Sequence, residues 1–291
     1  MALKPAIERG NYVEGAWSMI GQTALVACLV LAGSVGAQDE VEASQPPSTR
    51  AWRIAPEVSH YRYKEPGVMT NEGTLYGIVG SYTFRSDGDG GLTSLISDAN
   101  STITLEGRLA FGEVDYDGSY MDGTPLSASG IDDFLFDLRL LWGRERPAAK
   151  YFNAIYAGLG YRYLNDDSSS QSGGYERESN YLYVPLGSRQ DFDLKGRWDL
   201  SLTGELDVLI VGRQISHLSD ADPELPDVRN WQWPGVGAGL SLDLRRKGRN
   251  VDFALSPFLR YWWVDESSVS KGYYEPKNHT VEYGLSFVVR F

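Results

Sequence analysis

The chain has 291 residues and a formal charge of -12, from 39 acidic and 27 basic side chains. That balance excludes a nucleic-acid binder, which needs a basic footprint, and a single cysteine, Cys28, excludes a disulfide framework or a thiolate metal centre. Abundant Gly (32), Tyr (18), Phe (10) and Trp (8) favour one β-rich unit; a mean hydropathy of -0.32 is compatible with a barrel in which only alternate residues meet lipid.

The first element is an apolar run, Ala24 to Ala32, followed by the small-x-small site Val35-Gly36-Ala37. This predicts a signal peptide over 1–37, cleaved before Gln38, with a core too short to span a membrane as a helix. Lys4 and Arg9 are offset by Glu8 and Glu14, which leaves the start at Met1 or Met19. Leu25 to Cys28 resembles a lipoprotein box, but apolar sequence continues past Cys28 and argues against that processing. Residues 38–50, rich in Gln, Glu, Ser and Pro, read as a disordered lead-in, and 51–291 as one barrel domain.

From Trp52 onward, segments alternating in hydrophobicity are separated by turn-rich stretches, the pattern of barrel strands. They fall at 52–64, 74–85, 101–113, 132–142, 151–163, 180–190, 197–211, 234–245, 251–264 and 280–291. The seventh is the cleanest. Trp198, Leu200, Leu202, Gly204, Leu206, Val208 and Ile210 share one face, and Asp199, Ser201, Thr203, Glu205 and Asp207 the other. The first and sixth do not declare which face meets lipid.

Connections sort by parity. Odd strands are followed by acidic, Ser/Gly-rich stretches expected to be loops (65–73, 114–131, 164–179, 212–233, 265–279), even ones by the short turns 143–150, 191–196 and 246–250, with 86–100 the exception. This sorting predicts an all-β, up-and-down antiparallel transmembrane barrel of about ten strands, with long loops outside and both termini periplasmic. Trp52, Trp142 and Trp198 fall at one set of strand ends; Trp233, Trp262, Trp263, Tyr76, Tyr161 and Tyr163 fall near the other, as two headgroup belts would require. The last strand places Tyr283, Leu285, Phe287, Val289 and Phe291 on one face. This ending resembles the C-terminal assembly signal of Gram-negative outer-membrane barrels, which implies the barrel assembly machinery as a partner.

The stretches Gly160–Asp167, Tyr175–Tyr181, Gln214–Asp220 and Glu275–Gly284 resemble small proteobacterial outer-membrane β-barrel proteins of unassigned function, porin-like in architecture. The resemblance covers most of 52–291. It implies the cell outer membrane, with lipid and lipopolysaccharide as surroundings, and carries no activity.

Chemistry is expected in two places. Polar strand faces put Glu106, Asp137, Glu205, Asp207, Asp243 and Glu282 in the lumen with Arg108, Arg139, Arg162, Arg260 and Arg290; buried charges persist when paired, so a salt-bridged plug is expected, with a narrow ion or solute path as the alternative. At the rim, Asp115 and Asp117, with His217 and Asp220 beyond strand seven, resemble the layout of omptin proteases, although Ile215 stands where their Asp-x-His needs an aspartate. His217-Leu-Ser219 resembles the His-x-Ser of lipid A deacylases. The plain alternative is a polar loop onset. Asp87–Gly91 fails the EF-hand spacing at its fifth position. Asp166, Asp167, Asp220, Asp222, Glu224 and Asp227 read as acidic outer loops, a solvated face or a place for divalent ions that bridge lipopolysaccharide. No nucleotide-binding loop, zinc spacing or redox cysteine pair is present, so no cofactor or metal is expected. The sequence favours a non-enzymatic outer-membrane protein acting through its surface loops in surface interaction or envelope integrity. A rim hydrolase and a narrow pore stay open, as does the oligomeric state.

Overall fold

The computed structural model describes residues 4–5, 50–86, 100–119, 123–146 and 153–291. The leader and lead-in expected over 1–50 therefore lie outside the described residues, save Arg50 and a two-residue bridge from Lys4 and Pro5 to Tyr274 and Tyr273. So does the turn at Asp87–Gly91.

Ten strands make the wall: β1 Arg50–Glu65, β2 Met69–Arg85, β3 Ser101–Ser119, β4 Pro125–Glu145, β5 Ala154–Asp167, β6 Glu176–Asp193, β7 Trp198–Ser216, β9 Gly235–Arg246, β10 Asp252–Val264 and β11 Asn278–Arg290. Each pairs antiparallel with its neighbours in chain order. The ring closes where β11 pairs with β1, Arg290 opposite Arg53 and His279 opposite Lys64. Closure leaves no unpaired sheet edge in the wall. A single helical turn, α1 (Leu218–Ala221), precedes a short eleventh strand, β8 (Val228–Gln232), which pairs with the end of β7 and touches the loop after β10 through a bridge from Gln232 to Ser267.

Period-two alternation decides which side chains point out. Ile54, Ile78, Leu109, Leu138, Leu159, Leu186, Leu206, Leu240, Leu259 and Leu285 are all exposed, whereas Glu57, Arg108, Asp133, Arg162, Asp207 and Glu282 are buried. The molecule is apolar outside and charged inside, the reverse of a water-soluble domain. Tyr283, Phe287 and Phe291 are exposed on the outer face with Leu285, and Val289 shares that face. Phe291 exchanges backbone hydrogen bonds with Trp52 (2.8 and 3.1 Å) at the end where the barrel chain begins and finishes.

Two bulges shift the phase near the opposite, far end. Between Val114/Ile131 and Tyr116/Ala128 one extra residue enters β4, where Gly130 has φ +72°, a conformation that suits glycine. Ile210 is the extra residue of β7, because Tyr183 faces Leu209 and Leu182 faces Val211. Beyond it Gly212 and Gln214 turn inward and are buried, while Val211 and Arg213 are half-buried.

Several sequence expectations are corrected. The stretches 65–73 and 114–131 are mostly strand: β1 runs to Glu65, β2 begins at Met69, β3 reaches Ser119 and β4 starts at Pro125. The alternation reverses there, Val114, Tyr116 and Ile131 pointing inward and buried while Asp115 and Asp117 are exposed, and backbone pairing continues. Asp166 and Asp167 belong to β5, and Asp166 is buried and inward rather than in a loop. Trp262 is also buried, inside the wall against Tyr181 and Tyr183 (ring centroids 6.0 and 5.1 Å away), and does not join an outer belt. β1 and β6 point tyrosines inward (Tyr61, Tyr63, Tyr181, Tyr183) and aliphatics outward, which is why hydrophobicity alone left their faces undecided.

Candidate functional site: the lumen and its far mouth

The middle of the lumen is crossed by linked ion pairs. Arg108 on β3 reaches Glu57 on β1 and Glu282 on β11; Arg260 on β10 reaches the same two carboxylates at 3.2 and 3.4 Å. Ser59 donates to Glu282 (2.8 Å) and Ser286 to Glu57 (3.3 Å). A second group joins Arg139 to Glu106 and Glu205, with Arg53 3.9 Å from Glu106. Arg162 donates to Asp137 at 3.2 Å and lies over the Trp262 ring at 5.9 Å. Asp207 is buried beside them. Arg108, Arg139, Arg162 and Arg260 are each hydrogen-bonded to carboxylate oxygens, which is what keeps a buried charge tolerable.

Glycines let tyrosines lie flat on the wall and join this network. A Cβ on Gly160 would sit 2.3 Å from Cζ of Tyr183, and one on Gly187 would sit 2.0 Å from Cζ of Tyr156. With that space free, Tyr183 donates to Asp137 (3.0 Å) and Tyr156 to Glu205 (2.7 Å).

The two mouths differ. At the terminal end, Arg85 pairs with Glu145 (2.9 Å), Lys247 and Arg245 with Asp199, and Arg290 with Asp243. Toward the far end an apolar cluster fills the bore: Tyr61, Leu75, Tyr116, Ile131, Leu135 and Leu164 from the wall, and Tyr175, Leu218 and Val228 from the segments that fold over it. The helical turn α1 exists to drive Leu218, fully buried, into that cluster. Beside it Arg177 bonds Glu65, Glu275 and the Tyr63 hydroxyl. Glu57, Glu65, Arg177 and Glu275 were not singled out by sequence. Glu57 lies on a strand whose face was undecided, and Arg177 in the stretch 164–179 that read as loop. Glu65 ends β1, and Glu275 lies in the loop before β11, where no periodicity speaks.

The rim residues do not assemble as a hydrolase needs. Asp115 and Asp117 are exposed on the outer side of β3, opposite Glu72 and Thr70 of β2, while His217 follows β7, with β4, β5 and β6 between. Asp220 accepts from the Glu176 backbone N–H (3.1 Å) and does not pair with His217. The imidazole instead has Nε2 3.0 Å from Glu178 and Nδ1 3.6 Å from Asp227. Ser219 Oγ donates to Asp227 at 2.7 Å, so the carboxylate sits between serine and histidine and no base faces the hydroxyl. Burial opposes the imidazolium, but the Glu178 hydrogen bond and the charges of Glu176, Asp227 and Glu178 outweigh it and raise the His217 pKa. The Ser219 hydrogen bond, with His217 adding to it, holds the Asp227 carboxyl below its usual range. His217, held between Glu178 and Asp227, ties β6 to the loop after β7 and does not face the Ser219 hydroxyl as a general base would.

No protein-family model matches this chain, and no curated protein does. Among solved structures it is similar to Neisserial surface protein A (11% identity, 82% of this chain and 97% of that one, TM-score 0.34). It is also similar to the translocator domain of the autotransporter NalP from Neisseria meningitidis (10% identity, 83% and 89%, TM-score 0.39) and to the Pseudomonas putida toluene transporter TodX (11% identity, 84% and 90%, TM-score 0.31).

Proposed function

We propose that this chain is an integral outer-membrane barrel with a side-chain-filled lumen, acting through its far-end loops in surface interaction or envelope integrity rather than as an enzyme. The observation that carries the reading is the outward face of β7, apolar from Trp198 to Ile210. At about 3.3 Å per residue and a strand tilt near 40°, that stretch stands roughly 30 Å tall, the thickness of a bilayer's hydrocarbon core. Exposed Trp52, Trp142 and Trp198 at one edge and Tyr76, Tyr161, Trp231 and Trp233 toward the other suit the two headgroup layers. On this reading the termini are periplasmic, Asp220, Asp222 and Glu224 face outward among lipopolysaccharide, and the strand ending in Phe291 is what the barrel assembly machinery engages.

The test is to refold the protein in lipid and record planar-bilayer currents, alongside peptide and lipid A hydrolysis. Insertion with neither steady conductance nor hydrolysis is expected. Steady single-channel currents would replace the filled lumen with a narrow pore, and turnover abolished by His217→Ala would restore the rim hydrolase. Recovery of the protein as a freely soluble monomer without detergent would overturn the membrane reading itself.

A further inference from the structure

Above the ion-pair layer lies a small cavity of about 10 Å³, room for a single water-sized body; among its lining residues are Asp133, Asp166, Asn71 and Tyr61, with the Arg177 guanidinium beside them. Asp133 on β4 and Asp166 on β5 stand directly opposite each other in the register. Asn71 reaches them from β2, its amide N–H donating to Asp166 Oδ2 at 2.8 Å. Tyr61 completes the lining from β1. All four are more than nine-tenths buried. Both Asp133 oxygens, Asp166 Oδ1, Asn71 Oδ1 and the Tyr61 hydroxyl have no hydrogen-bond partner in the protein.

Charge is out of balance in the same place. Glu65 and Glu275 take the Arg177 guanidinium, which lies 3.8 Å from Asp166, so one cation serves four carboxylates if Asp133 is counted. Adjacent like charges facing each other across strands repel, and an unpaired buried carboxylate costs far more. A proton shared between the aspartates would satisfy at most two of the five oxygens. Water would satisfy oxygens but leave the charge. A cation does both at once.

We propose that Asp133, Asp166, Asn71 and Tyr61 form an internal site for a hard divalent cation of the calcium type. Two carboxylates match its charge, the four proposed ligands all offer oxygen, and neither thiol nor imidazole lines the cavity, which disfavours zinc or copper; the Arg177 guanidinium that also lines it is already paired with Glu65 and Glu275. The ion would tie β1, β2, β4 and β5 together below the apolar cap.

The experiment uses the full refolded barrel and Tb³⁺ as the luminescent probe, with Ca²⁺ as competitor. Tyrosine-sensitised Tb³⁺ emission displaced by Ca²⁺ is expected, weakened at least about tenfold in Asp133→Asn/Asp166→Asn and in Asn71→Ala, and unchanged in Asp220→Asn/Asp222→Asn/Glu224→Gln. A measurement on the unaltered chain guards against variants that fail to fold: its urea midpoint is expected to be higher in Ca²⁺ than in EGTA. Emission that survives in the interior variants, or vanishes in the loop variant, places the ion at the surface and overturns the proposal. A midpoint indifferent to Ca²⁺ and EGTA overturns it too, and leaves a proton as the balancing charge.

Discussion

Arg108 and Glu282 are hydrogen-bonded across the lumen although β1 and β2 separate their strands. The contact therefore braces the seam where the last strand meets the first, using a residue that the chain supplies far earlier. Removing one partner of such a pair leaves the other charged and buried. Arg108→Met is expected to destabilise the folded barrel by about 3–5 kcal/mol, read as a lower urea midpoint in lipid. Adding Glu282→Gln to it should recover much of the loss, since Glu57 keeps Arg260 as its partner and no carboxylate is left stranded. A double variant no more stable than the single one would show that packing, not charge balance, sets the cost.

Gly160 and Tyr183 give the second prediction. A Cβ at Gly160 would press on the tyrosine ring from 2.3 Å, so Gly160→Ala is expected to cost about 1–3 kcal/mol and to break the Tyr183 bond to Asp137. Gly204 offers the control: nothing lies within 4 Å of its would-be Cβ. Gly204→Ala should leave the urea midpoint unchanged or raise it slightly. Tyrosine fluorescence of the two variants separates a local ring displacement from general loosening.

The third concerns pH. The folded-state pKa of His217 is raised, with burial opposing and Glu178, Glu176 and Asp227 prevailing. A histidine raised on folding contributes stability that is fully present below its unfolded pKa, near 6.5, and lost as pH rises through the folded value. The site is partly open to solvent, so the contribution to the whole barrel is well under about 1 kcal/mol. The local effect is larger: protease cleavage of residues 217–227 should be slow in mild acid and quicken as pH climbs past the folded pKa. Glu178→Gln should move that transition to lower pH, and His217→Gln should abolish it.

What the sequence made legible was governed by contact with two different environments. All ten wall strands were placed within a few residues at most ends because alternation is strongest where an apolar outward face opposes a charged inward one, as in Trp198–Ile210. At the far ends the apolar residues turn inward instead, Tyr116 and Leu164 into the buried cluster, and the outward positions are polar, so the far ends of β3 and β5 read as loop. Bulges are invisible to periodicity except as a misfit: Gly130 in β4 was a small clue, Ile210 none. Inward tyrosines masked the face of β1, which hid Glu57 although its partner Arg108 was in view, and Arg177 fell in the stretch 164–179 that read as loop. Three residues in a row, as in His217-Leu-Ser219, say little about geometry. The carboxylate that occupies the serine comes from Asp227, across the loop.

Leu206 separates a bilayer from water as the surroundings of the outer wall. It is exposed, lies near the middle of the β7 face, and stands beside Leu186 and Ala238 on the neighbouring strands. In water, Leu206→Arg would replace an exposed apolar group by a soluble one and leave stability unchanged or improved. In hydrocarbon the same arginine is expected to cost about 2–4 kcal/mol, falling to roughly 0–1 kcal/mol when introduced at Trp198 near the edge of the apolar face. Reversible urea unfolding from lipid vesicles measures both. A graded penalty, largest at Leu206, is the signature of depth in a membrane; equal and negligible penalties at the two positions would mean that no hydrocarbon layer surrounds this face.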